Sequence, residues 1–162
     1  MPWYVVQTKP KSEQLAVVNL QRQGYTIYCP MITQRKRRRN RWQDVTEALF
    51  PRYLFVQLQE GLDDFSPIRS TIGVSALVRF GGVPAVMPEQ AIEMLTQQEE
   101  RLLKPKRLDW KPGSEVEIRE GPMAGLRGIF QKTASEERVI ILLALLGKQS
   151  RVVLDSHLLA PI

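Results

Sequence analysis

Leu49-Phe50-Pro51-Arg52-Tyr53-Leu54-Phe55-Val56-Gln57-Leu58 is the stretch on which the fold of this chain turns. Proline has no backbone N–H to give to a ladder, so Pro51 marks the entrance of a strand rather than its middle. From Tyr53 onward the run is aromatic and β-branched. Alternation puts Tyr53 and Phe55 on one face of that strand and Leu54 on the other.

On the N-terminal side, Trp3–Gln7 is a second short β-prone run. Pro10 and Ser12 then introduce a helix in which Ala16, Val17 and Leu20 follow the spacing of a buried stripe. Gly24 suits the left-handed position that ends it. The opposite face carries Ser12, Asn19, Arg22 and Gln23. Tyr25–Met31 reads as a strand broken by Pro30, and the basic segment QRKRRRNR (34–41) as a hairpin. On the C-terminal side, Ser66-Pro67 is a cap and first-turn proline of a short helix. VSALVRF (74–80) is a strand that Gly81-Gly82 ends. Pro88 opens a helix to about Leu103 with Ile92, Leu95, Glu99 and Leu102 on one side. The order of elements predicts an α+β fold, an antiparallel or mixed sheet with helices packed on it, over residues 1–103.

Residues 104–110 are charged, contain Pro105 and show no periodicity, which predicts a linker. Residues 111–162 change character. Val116 and Ile118 alternate with acids, Gly121-Pro122 makes a turn, and Gly125 and Gly128 punctuate a following strand. Val139–Leu145, Arg151–Leu154 and Leu158-Leu159 complete five short strands of a small β-barrel. The same sequence offers a second solution, because ASEERVIILLALLGKQ (134–149) is rich in helix formers with a broad apolar face. The barrel is the favoured intrinsic fold and a helical hairpin its rival. A helix would put Ile140, Leu143 and Leu146 on one face, over Phe50, Tyr53 and Leu95. A barrel strand would group Ile140, Leu142 and Ala144.

The formal net charge is +6, and its excess is local. Residues 1–100 carry 12 basic and 10 acidic side chains, whereas residues 101–110 carry 4 and 1. Arg35, Lys36, Arg37, Arg38, Arg39 and Arg41 crowd the hairpin, either as a solvated tip or as a clamp on nucleic-acid phosphates. Trp42 beside them either stacks on a base or anchors the hairpin. One cysteine, Cys29, and one histidine, His157, cannot build an internal disulfide, a cysteine-only metal site or a supported catalytic dyad. No phosphate loop or nucleophile elbow appears, so neither catalytic residues, nor a metal, nor a cofactor are expected. No apolar run approaches the roughly 20 residues that span a bilayer, and the N-terminus lacks the order of a signal peptide. A cytoplasmic protein without a membrane contact is expected.

WYVVQTKP (3–10), LFPRYLFVQ (49–57) and PGSEVEIREGPMAGLRGIF (112–130), in this order, resemble the NusG family of transcription elongation factors. The third looks like the family's KOW element, built round Gly121, Pro122, Gly125 and Gly128. CPMITQRKRRR, EALFPRYLFV, GVSALVRFGGVPAVMP and ILLALL are more similar to the specialised RfaH-type branch. The resemblance implies a monomeric elongation and antitermination factor that suppresses pausing and termination, recruited at a DNA element in selected operons. It implies that Phe50, Tyr53, Ile92 and Leu95 line a groove for the clamp region of the largest RNA polymerase subunit. Lys9, Asn19, Arg22 and Gln23 would meet non-template DNA, together with the basic hairpin. A small-subunit ribosomal protein is an implied contact of the C-terminal domain.

The RfaH-type pattern is not complete. Asp64-Phe65-Ser66 stands where that branch has His-Thr-Thr, Ile72 where it has arginine, and Asn19 where it has histidine. The KOW glycines and Gly147 look more like general NusG. A general NusG factor without DNA specificity, or a ribosome- or RNA-binding KOW protein, are the alternatives. RfaH-type proteins also have a C-terminal domain that is a helical hairpin masking the polymerase groove and becomes a barrel once released.

Overall fold

The computed structural model describes residues 2–59, 65–104, 129 and 134–159, the last eleven of these by their backbone only. Strands β1 (Trp3–Thr8), β2 (Thr26–Tyr28), β5 (Tyr53–Gln57), β6 (Val74–Leu77) and β9 (Val86–Met87) form one sheet. β1 lies between β5 on one edge and β6 and β9 on the other, and every pairing is antiparallel. The mixed-sheet possibility is thereby resolved as antiparallel, within the α+β class.

Both faces of the sheet are buried, which explains why β5 is apolar without interruption. Tyr4 and Val6 of β1 join Leu54 and Val56 of β5 on one face. Ala16 and Leu20 of helix α1 (Glu13–Arg22) and Ile68 of α2 (Ser66–Arg69) pack on them. Val5 and Phe55 point to the other face, where Ala91, Ile92 and Leu95 of α3 (Glu89–Gln97) and Leu102 of α4 (Glu99–Leu103) cover them. Phe55 is therefore core.

Between β2 and β5, β3 (Met31–Arg38) and β4 (Arg41–Ala48) form the expected hairpin in continuous register from Met31↔Ala48 to Arg38↔Arg41. Its tip residues Arg39 and Asn40 have φ of 50° and 62°. Two successive left-handed residues match the twist of the flanking strands. Strand 74–80 is shorter than expected. After β6 the N–H of Val78 bonds Val5 O, and β7 (Arg79–Phe80) turns through Gly81-Gly82 onto β8 (Val83–Pro84). Two helix boundaries also differ. Phe65 rather than Ser66 caps α2, and the helix expected from Pro88 to Leu103 breaks at Gln98, leaving Glu99 exposed.

The C-terminal half departs furthest from the favoured reading. Ser135–Leu159 is one helix, α5, and it contains the last three of the five segments expected as barrel strands. Burial decides the contest. Arg138, Leu142, Leu145 and Leu146 are buried at helical spacing, and each leucine contributes about 1.5–3 kcal/mol on leaving water. Gly147 within the helix costs only about 1 kcal/mol. The face differs from the one expected: Ile140 is 64% exposed and Leu143 half-buried, so of the three residues named only Leu146 is fully covered. The KOW residues Gly121, Pro122, Gly125 and Gly128, and linker residues 105–110, lie outside the described residues.

Candidate functional site

Phe50, Tyr53, Ile92 and Leu95 come together as expected, but not as an open groove. Phe50 and Leu95 are fully buried, Ile92 nearly so, and Tyr53 half-buried against the same cluster. Phe50 meets Phe55 edge-on with ring centroids 5.9 Å apart. Leu142, Leu145 and Leu146 of α5 belong to this cluster, with Ile141 packed at its border. The apolar surface that needs a partner has one within its own chain.

A charged contact that sequence reasoning missed sits beside this cover. Arg138, in the first turns of α5, is fully buried; its Nε donates to Leu49 O at 2.6 Å. Its second nitrogen lies 3.2 Å from Glu47 Oε1, on β4. Glu47 also accepts from Lys36 Nζ through both oxygens, at 3.0 and 2.9 Å. Burial alone would raise the Glu47 pKa, but the hydrogen bonds and charges of Lys36 and Arg138 hold it below the ordinary carboxylate value. Burial pulls the Arg138 guanidinium down, while Glu47 pushes it back up. The one signal in the sequence was a lone cation at the head of an apolar run; its partner 91 residues away had none.

Five of the six hairpin cations, Arg35, Arg37, Arg38, Arg39 and Arg41, are exposed. Lys36 departs from the expected nucleic-acid row because it pairs with Glu47. Register sets Arg35 and Arg37 on one hairpin face with Trp42 and Asp44, and Lys36 and Arg38 on the other with Arg41 and Glu47. Trp42 is 62% exposed, so it presents a ring rather than anchoring the hairpin. The stem is tied by the Thr33 and Thr46 hydroxyls, 2.7 Å apart.

Lys9, Asn19, Arg22 and Gln23 form a second ridge. Asn19 Nδ2 donates to Leu15 O and Ile72 O, and Gln23 Nε2 to Asn19 O and to Thr71 Oγ1 at 2.7 Å. Both amide groups thus spend their two N–H donors inside the chain, and only their carbonyl oxygens remain for a ligand. The Lys9 N–H bonds Gly73 O, which brings Lys9 to the same loop. Gly73 adopts φ +95°, and a Cβ there would stand 2.9 Å from Ala16 N, so only glycine lets the loop lie against α1. Arg22 and Lys9 are exposed, as is Ile72 at 70%.

Burial, then Glu13, pushes the Cys29 thiol up to about 11, away from the reactive thiolate. No group of three metal-ligating side chains occurs among the described residues. No helix among them is long and apolar enough to cross a membrane.

Comparison with known proteins gives a family. The family model "NusG: Transcription termination factor nusG" matches residues 1–96. The transcription termination/antitermination protein NusG of Halalkalibacterium halodurans is 24% identical over 94% of each chain. Its namesake in Thermus thermophilus is 25% identical over 94% of each, and that of Deinococcus radiodurans 28% identical over 69% of this chain and 67% of its own. A solved structure titled "Domain interaction in Thermotoga maritima NusG" is 22% identical, with a TM-score of 0.43 over 75% of this chain and 74% of that one.

Proposed function

The chain belongs to the NusG family of transcription termination and antitermination factors, and from that premise we propose that it is an RNA polymerase-binding elongation factor of the masked, RfaH-like kind. Residues 1–103 are the polymerase-binding domain, 104–110 the linker and 111–162 the C-terminal domain. The chain acts as a monomer in the cytoplasm, without cofactor. Phe50, Tyr53, Ile92 and Leu95 receive the clamp region of the largest polymerase subunit once α5 has left. The exposed arginines of the hairpin hold the displaced DNA strand by its phosphates, and Lys9, Arg22 and the carbonyls of Asn19 and Gln23 read an element within it.

One observation carries the reading. Phe50, Ile92 and Leu95, with Tyr53 at the border, share one apolar cluster with Leu142, Leu145 and Leu146 of a C-terminal helix fixed by Arg138 to Glu47 and Leu49 O. A tethered pair of independent domains has no use for such a cover, whereas a factor that must wait for a recruitment signal has.

A second reading is a general NusG factor without sequence preference. Ile72 in place of arginine, and the internal use of the Asn19 and Gln23 amides, favour it. Recruitment to core polymerase separates these readings from each other and from a KOW protein of the ribosome. Glu47→Gln, which frees the cover, should bind core polymerase, and adding Tyr53→Asp should abolish binding while the N-terminal domain stays folded. Full affinity in the folded double variant would sink the groove. Equal recruitment of wild type on every template makes the protein a generalist.

A further inference from the structure

Lys36 joins the basic hairpin to the anchor of α5. By register it is the innermost cation of the hairpin face that also carries Arg38 and Arg41, both exposed. Its own Nζ is turned inward onto Glu47, the carboxylate that holds Arg138. Lys36 bonds both oxygens of Glu47, and Arg138 lies 3.2 Å from Oε1, so Lys36 fixes the plane of the carboxylate and with it the position of the oxygen that Arg138 reaches. Two cations on one anion repel each other. However, the Lys36 side chain is 35% exposed and the repulsion is screened, while the orienting bonds are short and well formed. Networks of this kind strengthen their members rather than divide a fixed sum.

We propose that Lys36 is a positioning residue through which nucleic-acid phosphate bound along the hairpin loosens the C-terminal helix. A phosphate lying against Arg38 and Arg41 is within reach of the Lys36 ammonium, about two strand residues or 7 Å along. Phosphate competes with Glu47 for that ammonium and, unlike Glu47, has no role in holding Arg138. Each Lys36 drawn outward leaves Glu47 free to turn and the buried guanidinium worse paired. By linkage the polyanion then binds the open state more tightly than the closed one. The proposal rests on α5 being a removable cover, not on what the uncovered groove binds.

Amide hydrogen exchange of α5 in the full chain tests it, with β1 as internal reference. Lys36→Gln should speed exchange across residues 138–146 by roughly 2- to 150-fold, the range of couplings between residues in contact. β1 should be unchanged, and Lys36→Arg should restore protection. A single-stranded oligodeoxynucleotide should speed α5 exchange in the wild type but add little in Lys36→Gln or Glu47→Gln. Unchanged or slower α5 exchange in Lys36→Gln would overturn the proposal, since Lys36 would then be idle or a competitor of Arg138. Equal loss of protection in β1 would overturn it too, by assigning Lys36 to the stability of the N-terminal domain. Because polymerase is absent from this experiment, its outcome is separable from that of the groove assignment.

Discussion

Arg138 loses all of its hydration when α5 docks, and a guanidinium so placed must find anionic and carbonyl partners or expel the helix. Glu47 and Leu49 O are those partners. Removing one member of a buried pair costs about 3–5 kcal/mol, and because the Glu47 side chain is 24% exposed the lower end applies. Glu47→Gln should therefore detach α5 at neutral pH without unfolding the sheet. The pH dependence follows from the sign of the Glu47 shift. Its folded pKa is depressed, so its contribution is full above the unfolded value, about 4.3, and is lost as pH falls through the folded one. Helical NMR shifts of α5 should persist at pH 7 and fade below about pH 4, with the fade absent from Glu47→Gln. Persistence of docked α5 in that variant would show that the apolar contacts hold it unaided. Neither partner was legible as such in the sequence: a pairing across 91 residues is a property of the folded chain.

Elements were legible where local chemistry and burial agree. Gly24, with φ +92°, ends α1 as its position in the sequence predicts. β5 was readable because Pro51 marks its start and both its faces meet apolar neighbours. The 134–149 run was not, because its leucines satisfy a helix and a strand alike and only the distant groove chooses. Even within the helix, Ile140 and Leu142 stand two residues or about 200° apart, and only Leu142 is covered. The hairpin, by contrast, declares its charge in the sequence, and the structure leaves five arginines outside. Neutralising Arg37, Arg38 and Arg39 should weaken binding to a transcription complex and lower the slope of log affinity against log salt by up to roughly 2–3. A slope equal to that of the wild type would make these residues a solvated tip.

At the scale of the whole molecule, the proposed masking makes cover and groove an equilibrium whose closed side is the structure described here. Polymerase affinity is then the intrinsic affinity multiplied by the open fraction, so a chain open one time in a hundred binds about a hundredfold more weakly. Under that proposal the C-terminal segment has two solutions, helix in the intact chain and barrel when free, which need differ by only a few kcal/mol. In the intact chain the interdomain contacts of Arg138, Leu142, Leu145 and Leu146 weight the helix. The most direct test is to cut the linker near Pro105 and follow residues 135–159 by NMR secondary shifts, with core polymerase affinity measured on both forms. Masking predicts helix in the intact chain, strand after cleavage and release, and tighter binding by the inverse of the open fraction. The same secondary structure in both forms, with equal affinity, would contradict it.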